Sequence, residues 1–231
     1  MRFRYLLFFV SLLSLVGWGP FLLTSANYQQ VPGSENWISQ EVQAISAKAS
    51  NLDKNVLKLS LMAYQKAQQQ GITQKGILTV IDYSRPSTEK RLWVIDVVNN
   101  KVLFNTYVAH GKNSGELNST SFSNKPNSLK SSFGVFVTDT TYTGHDGYSL
   151  HIRGLEHGIN DNVYSRSVIF HGAAYVSEAY ARARGMMGRS WGCMAVGFDV
   201  IHPLINTIKD KTLVFAYYPD QNWLKTSKFL A

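Results

Sequence analysis

Residues 91–111 read RLWVIDVVNNKVLFNTYVAHG and contain two runs of aliphatic, β-branched and aromatic residues. The pair Asn99 and Asn100 separates the runs, and asparagine tolerates the positive backbone angles that a tight hairpin turn requires. The preceding run ILTVIDYS, at 77–84, is also strand-like. Together these segments predict a β meander that sets up a sheet.

Strand-like runs resume after a polar stretch at 112–130, which is expected to form a long loop beside a cleft. Further strands are predicted at 133–142, 148–154, 167–172 and 212–218, and short helices near 176–184 and 199–208. The regular helical crossovers of a doubly wound parallel sheet are missing. The sequence therefore predicts a mainly β, sandwich or barrel-like domain over residues 76–218, followed by a C-terminal tail at 219–231.

Residues 27–75 are expected to hold a linker and a short N-terminal α-helical region. Apolar residues recur there at intervals of three and four, which is the spacing of an amphipathic helix. Asn51 is expected to cap the start of one helix and Gly71 to end it. An earlier helix that carries Ile38 and Ile45 would make the region a helical hairpin.

The first 26 residues, MRFRYLLFFVSLLSLVGWGPFLLTSA, have the layout of a secretory signal peptide. Gly17, Gly19 and Pro20 interrupt the apolar run, which favours cleavage, although an uncleaved anchor stays an alternative. We expect an exported protein of the periplasm or cell wall that meets the membrane only through this segment. Its net charge of +8 suits anionic partners such as cell-wall polymers. The export signal and the lack of a dense Lys/Arg block argue against nucleic acid.

The chain contains a single cysteine, Cys193, in the stretch RSWGCMAVG at 189–197. Since no internal disulfide can form, the thiol is either buried as a small apolar side chain or kept for its chemistry. A cysteine nucleophile needs a base and donors for the developing oxyanion. Gly192 permits a tight turn, and His171, 22 residues before the cysteine and at the end of a strand-like run, is a suitable base.

The segments VIFHGA at 168–173 and GRSWGCMAV at 188–196 resemble the His-Gly and Ser-x-Gly-Cys signature of the murein L,D-transpeptidase (YkuD-like) catalytic family. They are most similar to the branch with tryptophan before the glycine. The resemblance implies a β-rich domain that needs no metal or cofactor and acts on tetrapeptide stems of peptidoglycan. In that chemistry a thiolate attacks the third residue of the stem, the terminal D-alanine leaves, and an amine of a neighbouring stem resolves the thioester.

The resemblance implies a role for each residue of the motif. Cys193 matches the acylated nucleophile, His171 the general base, and Ser190 the hydroxyl that supports the turn. The backbone amides expected to form the oxyanion hole are those of Trp191, Gly192 and Cys193.

Three positions depart from the family pattern. Many members have histidine at the position of Trp191 and arginine or asparagine at that of Ala195, and the similar branch commonly has proline at that of Met194. These departures leave the nucleophile and the base in place, but the identity of the acceptor stays open. Two alternatives to transfer therefore remain: a carboxypeptidase or peptidase in which water resolves the thioester, and a non-catalytic wall-binding module with a buried thiol.

Other polar residues near the motif suggest further contacts. Arg189 and Gly172 are expected to contact the substrate, with Arg189 holding a stem carboxylate as a fork. Arg182 and Arg184 are weaker candidates for the same task. Asp161 either orients His171 or caps its own loop. The evenly spaced His145, His151 and His157 lack the companions of a zinc motif, so no metal is expected.

Overall fold

The computed structural model describes residues 34–230, so the expected signal segment at 1–26 lies outside the described residues. In chain order the elements are α1 (Glu35–Ser46), α2 (Lys54–Gln69), β1 (Ile77–Asp82), β2 (Leu92–Asp96), β3 (Lys101–Thr106), β4 (Gly134–Gly144), β5 (Gly147–Gly154), β6 (Ile169–Gly172), α3 (Glu178–Arg184), β7 (Met194–Val196), α4 (Ile201–Ile208), β8 (Leu213–Tyr217) and α5 (Gln221–Thr226). Among these residues, no helix combines the length and the apolar character needed to cross a membrane.

The eight strands form one mixed sheet in the order β3-β2-β1-β8-β4-β5-β6-β7. Most neighbours are antiparallel, but β1 pairs with β8 and β6 with β7 in parallel. The predicted mainly β, barrel-like fold class is confirmed, and the long segment between β3 and β4 contains only a short 3₁₀ turn at Lys112–Ser114.

The hairpin between β2 and β3 forms where the sequence predicted it. Asn100 has a φ of 50°, and the Asp96 carboxylate accepts hydrogen bonds from the backbone and side-chain nitrogens of Asn99 at 3.0 and 2.7 Å. Asparagine supplies both the left-handed backbone and the local side-chain bonding that a tight turn needs.

The helical hairpin also forms, but the predicted cap of α2 is wrong. Asp53 caps the helix, because its Oδ1 accepts from the amides of Asn55 and Val56 at 2.8 and 3.1 Å. Asn51 instead accepts a hydrogen bond from the Trp93 indole at 3.2 Å and so ties the hairpin to the sheet. Gly71, with a φ of 68°, follows the end of α2 as expected.

Both faces of the sheet are covered. Alternate residues of β8 point to opposite sides: Phe215 packs in the core under α1 and α2, while Val214 packs in the core around α4. Residues 219–230 are packed rather than tail-like, since α5 buries Trp223 in the first of these cores and Phe229 follows it there. The second core brings β5, β6, β7 and α4 together and so builds the wall of the candidate site.

Candidate active site

Strands β6 and β7 bring His171 and Cys193 together at the end of the sheet. His171 pairs with Ala195 in the parallel register, and Cys193 directly precedes β7, two residues before that partner. Strand spacing and rise then separate the Cα atoms of His171 and Cys193 by about 8 Å, with both side chains on one face. The short strand β7 was not predicted from the sequence, and it is the element that sets this proximity.

Both side chains open into one cleft of about 440 Å³. The thiol of Cys193 is partly exposed, and Trp191, beside it, is 77% exposed. The sulfur is therefore not sealed in hydrocarbon. The residues that line the cleft are Tyr142, His145, Asp146, Arg166, Ser167, Ile169, His171, Tyr175, Arg189, Ser190, Trp191 and Cys193.

The imidazole of His171 is fixed by its own strand. The ring is mostly buried, and its Nδ1 donates a hydrogen bond to the carbonyl of Gly172 at 3.0 Å. A neutral ring that donates through Nδ1 keeps the lone pair of Nε2 as an acceptor. The ring is therefore prepared to take a proton through Nε2.

Ser190 organises the turn that carries the cysteine. Its hydroxyl donates to the carbonyl of Cys193 at 2.7 Å and accepts from the amide of Gly192 at 3.1 Å. The Gly192 amide is thus engaged inside the turn, so the structure does not support its predicted place in an oxyanion hole. The amides of Trp191 and Cys193 remain as the candidates. Gly192 itself has a φ of 121°, which L side chains rarely adopt.

The surroundings of Cys193 act on the pKa of its thiol in both directions. Burial raises the pKa above the usual value, a backbone N–H bond from Ile169 lowers it, the Asp146 carboxylate raises it and the Arg166 guanidinium lowers it. The sulfur also donates a weak hydrogen bond to the Ser167 carbonyl at 3.6 Å. Because burial is the largest effect, the resting thiol is protonated at neutral pH and needs a base for attack.

The two arginines of the cleft differ in how strongly their N–H groups are bonded to the protein. Arg189 makes only long contacts, all from Nη1: to the carbonyls of Lys112 and Gly115 at 3.4 and 3.3 Å and to the exposed Glu116 carboxylate at 3.6 Å. Its other donors remain available to a carboxylate. Arg166 uses both terminal nitrogens on protein acceptors. Sequence reasoning missed Arg166, since no local motif marks it and its partners come from the distant loop at 112–130 and the residues just after it.

Gly172 is not among the residues that line the cleft, and its contact with substrate stays a prediction. A Cβ at this position would lie 2.6 Å from Phe198 and 2.9 Å from Ile201, so the residue faces the core side of the strand. Its contribution to the site is the carbonyl that holds His171.

Asp161 does not orient His171. It accepts from Asn124 at 2.6 Å and pairs with His157 at 2.8 Å, and the Asn124 bond is the main reason that the pKa of its carboxyl is lowered. Arg182 pairs with Glu178 on the surface of α3.

The evenly spaced histidines do not form a cluster. His151 packs between the rings of Tyr142 and Tyr164. Among residues 34–230, no group of three or more His, Cys, Asp or Glu side chains is placed to hold a metal ion.

A thiol and an imidazole that line one open cleft at the end of a β-rich sheet are typical of the class of cysteine-dependent acyl-transferring enzymes. The chain belongs to the family described as the L,D-transpeptidase catalytic domain, since the family model matches residues 48–217, well over half of the 231 residues. The match begins before α2, so the family domain includes this helix as well as the sheet.

Three solved structures are similar to this chain at low identity. They are an L,D-transpeptidase from Mycobacterium smegmatis (13% identity, 62% of this chain and 59% of that one, TM-score 0.37), L,D-transpeptidase 1 of Mycobacterium tuberculosis (12%, 63% and 63%, 0.36) and an L,D-transpeptidase from Stackebrandtia nassauensis (13%, 79% and 91%, 0.35). The aligned part spans about three fifths of the two mycobacterial chains. No curated protein matches this chain.

Proposed function

We propose that this chain is an exported L,D-transpeptidase-type enzyme that transfers acyl groups between peptidoglycan stem peptides through a thioester on Cys193. The observation that carries the proposal is that His171, on β6, and Cys193, directly before the neighbouring parallel strand β7, both line one cleft. Membership of the L,D-transpeptidase catalytic domain family supports the substrate class.

In the first half of the proposed reaction, Nε2 of His171 takes the thiol proton while the sulfur attacks the carbonyl of the third residue of a tetrapeptide stem. The amides of Trp191 and Cys193 stabilise the oxyanion that forms. The bond to the terminal D-alanine then breaks, and His171 returns the proton to the departing amine. A thioester on Cys193 remains.

In the second half, an amine of a neighbouring stem attacks the thioester, and the thiolate leaves. His171 accepts the proton of the attacking amine and passes it to the departing sulfur, which restores the neutral imidazole and the thiol of the starting state. Arg189 holds a stem carboxylate with its available donors, which fixes the register of the peptide in the cleft. Water in place of the amine would give hydrolysis from the same thioester.

The nucleophile is tested by intact-mass measurement with a carbapenem-type acylating agent. Wild type is expected to gain one adduct, and Cys193→Ala none, with both proteins folded by circular dichroism. His171→Ala is expected to acylate at least a hundredfold more slowly, within the range that a general base contributes. Glu178→Gln, which changes an exposed residue of α3 outside the cleft, serves as the matched control and should acylate like wild type. An unchanged adduct on Cys193→Ala would remove the proposal.

Incubation with purified muropeptides, followed by mass spectrometry, tests the reaction itself. Transfer gives a cross-linked dimer and free D-alanine, whereas hydrolysis gives D-alanine and a shortened stem without a dimer. Binding to sacculi with a thiol that is inert to electrophiles would indicate a wall-binding module. Export is tested by the N-terminus of the mature protein, which we expect after the segment 1–26.

A further inference from the structure

Arg166 joins the nucleophile turn to a distant loop. Its Nη1 donates to the Ser123 carbonyl and the Ser132 hydroxyl, both at 2.6 Å. Its Nη2 donates to the Ser128 hydroxyl at 3.1 Å and the Lys130 carbonyl at 2.6 Å. All four acceptors lie within ten residues of one another along the chain, so a single guanidinium fixes the shape of this segment.

The segment that Arg166 holds lies directly against the turn that carries the cysteine. The carbonyl of Lys130 would be 2.8 Å from a Cβ at position 192, and Nη2 of Arg166 would be 3.5 Å from it. Only a glycine therefore allows the loop to approach the turn this closely. The loop is fixed from the other side as well, because the Gly111 amide donates to the Ser131 hydroxyl at 2.9 Å.

Arg166 adds a second positive charge to the cleft, beside that of Arg189. Arg166 lines the cleft and interacts electrostatically with Cys193. A cation near the sulfur favours the thiolate that attacks the substrate.

We infer that Arg166 is a positioning residue that holds the loop at 123–132 against the nucleophile turn and adds a positive charge to the cleft that Cys193 lines. The inference rests on the proposed function, because it assigns the residue a task in the attack by Cys193. Its four terminal N–H donors are already used on the protein. Binding of the substrate carboxylate is therefore left to Arg189, whose bonds are long.

Two substitutions separate the positioning role from the charge. Arg166→Gln removes both the charge and the planar guanidinium. Arg166→Lys keeps the charge but offers a single ammonium group to four separated acceptors. We measure the pH dependence of Cys193 alkylation by iodoacetamide, and the rate of carbapenem acylation by intact mass. Arg153→Gln is the matched control, since it removes the same charge from an exposed arginine of β5 outside the cleft.

Arg166→Gln is expected to raise the pH midpoint of alkylation and to slow alkylation at neutral pH, because the guanidinium lowers the pKa of the Cys193 thiol. Arg166→Lys should keep the wild-type midpoint but slow carbapenem acylation about tenfold, because the loop is no longer fixed. Arg153→Gln should match wild type in both measurements. Wild-type behaviour of both Arg166 variants, or full rescue of acylation by lysine, would overturn the positioning role.

A milder variant keeps the inference testable if the Arg166 variants do not fold. Ser132→Ala removes one acceptor of the guanidinium and leaves the charge in place. We expect slower acylation with an unchanged pH midpoint, and acylation at the wild-type rate would contradict the inference. Failure of the proposed function is distinguishable, since wild type itself would then form no adduct on Cys193.

Discussion

At the scale of the single residue, Gly192 decides whether the nucleophile turn can form. Its φ of 121° belongs to a region that L side chains rarely adopt, and a Cβ would lie 2.8 Å from the Lys130 carbonyl. We predict that Gly192→Ala lowers the free energy of unfolding by about 1–3 kcal/mol, the usual cost of such backbone strain. We also expect carbapenem acylation to fall at least tenfold, because relief of the contact moves Cys193. Chemical denaturation and intact mass measure the two effects.

Gly158→Ala is the control that separates backbone strain from the close contact with the Lys130 carbonyl. Gly158 also has a positive φ, of 76°, but a Cβ there would have no neighbour within 4 Å, and the residue does not line the cleft. This variant should lose about 1–2 kcal/mol of stability through its backbone alone and acylate like wild type. Equal acylation by the two glycine variants would show that the turn at Gly192 does not control the nucleophile.

At the scale of the element, Glu156 joins β4 to α5 through a buried carboxylate. Its Oε2 accepts from the Val135 amide at 2.7 Å, and both carboxylate oxygens accept from the Trp223 indole at 3.0 and 3.1 Å. The Ser227 hydroxyl also donates to it. The carboxylate therefore adds hydrogen bonds to the apolar packing of Trp223 and Phe229 that holds the segment after β8 on the sheet.

We predict that Glu156→Ala lowers the free energy of unfolding by about 3 kcal/mol or more. The substitution leaves three donors buried without an acceptor, and each lost partner costs about 1–3 kcal/mol. Denaturant unfolding followed by tryptophan fluorescence measures the change. Glu178→Ala is the control, since its exposed pair with Arg182 should be worth less than about 1 kcal/mol. Equal losses in the two variants would contradict the role of Glu156.

Local patterns explain which elements the sequence could predict. The hairpin at Asn99 and the helical hairpin were predictable because turn residues and apolar spacing act within a few residues. The three-residue strand β7 was missed because it is too short to show alternation. The partners of Glu156 and Arg166 lie far away in the chain, up to 71 residues for the Ser227 hydroxyl, and no periodic pattern marks such contacts. The pairing of Cys193 with His171 was suggested only by the motif and by the order of the two residues in the chain. Asn51 was a wrong prediction for the cap of α2 because Asp53 lies closer to the first turn of the helix.

At the scale of the whole molecule, a buried cation connects the interior to the candidate site. Arg91 is fully buried, and burial lowers the pKa of its guanidinium to about 10. Its Nη2 donates to Nδ1 of His110 at 2.8 Å, and Nε2 of His110 donates in turn to the carbonyl of Gly115 at 3.3 Å. The carbonyl of His110 accepts from the Ser190 amide at 3.0 Å, so the network ends at the nucleophile turn.

Protonation of His110 would break this network, and the stability of the molecule should therefore depend on pH. Burial, followed by the charge of Arg91, lowers the pKa of His110 from 6.5 to about 4. The unfolded chain thus binds a proton at a higher pH than the folded one, and stability falls as the pH drops from about 6.5 to about 4.

The shift corresponds to a loss of about 3 kcal/mol across that pH range. Denaturant unfolding at several pH values should show a shallower slope for His110→Gln than for wild type, because glutamine removes the titrating group. The slope of His202→Gln, which changes an exposed histidine of α4, should equal that of wild type. Identical slopes for His110→Gln and wild type would mean that the pKa of His110 is the same in the folded and the unfolded chain. The connection from Arg91 through His110 to the nucleophile turn would then be insensitive to acid.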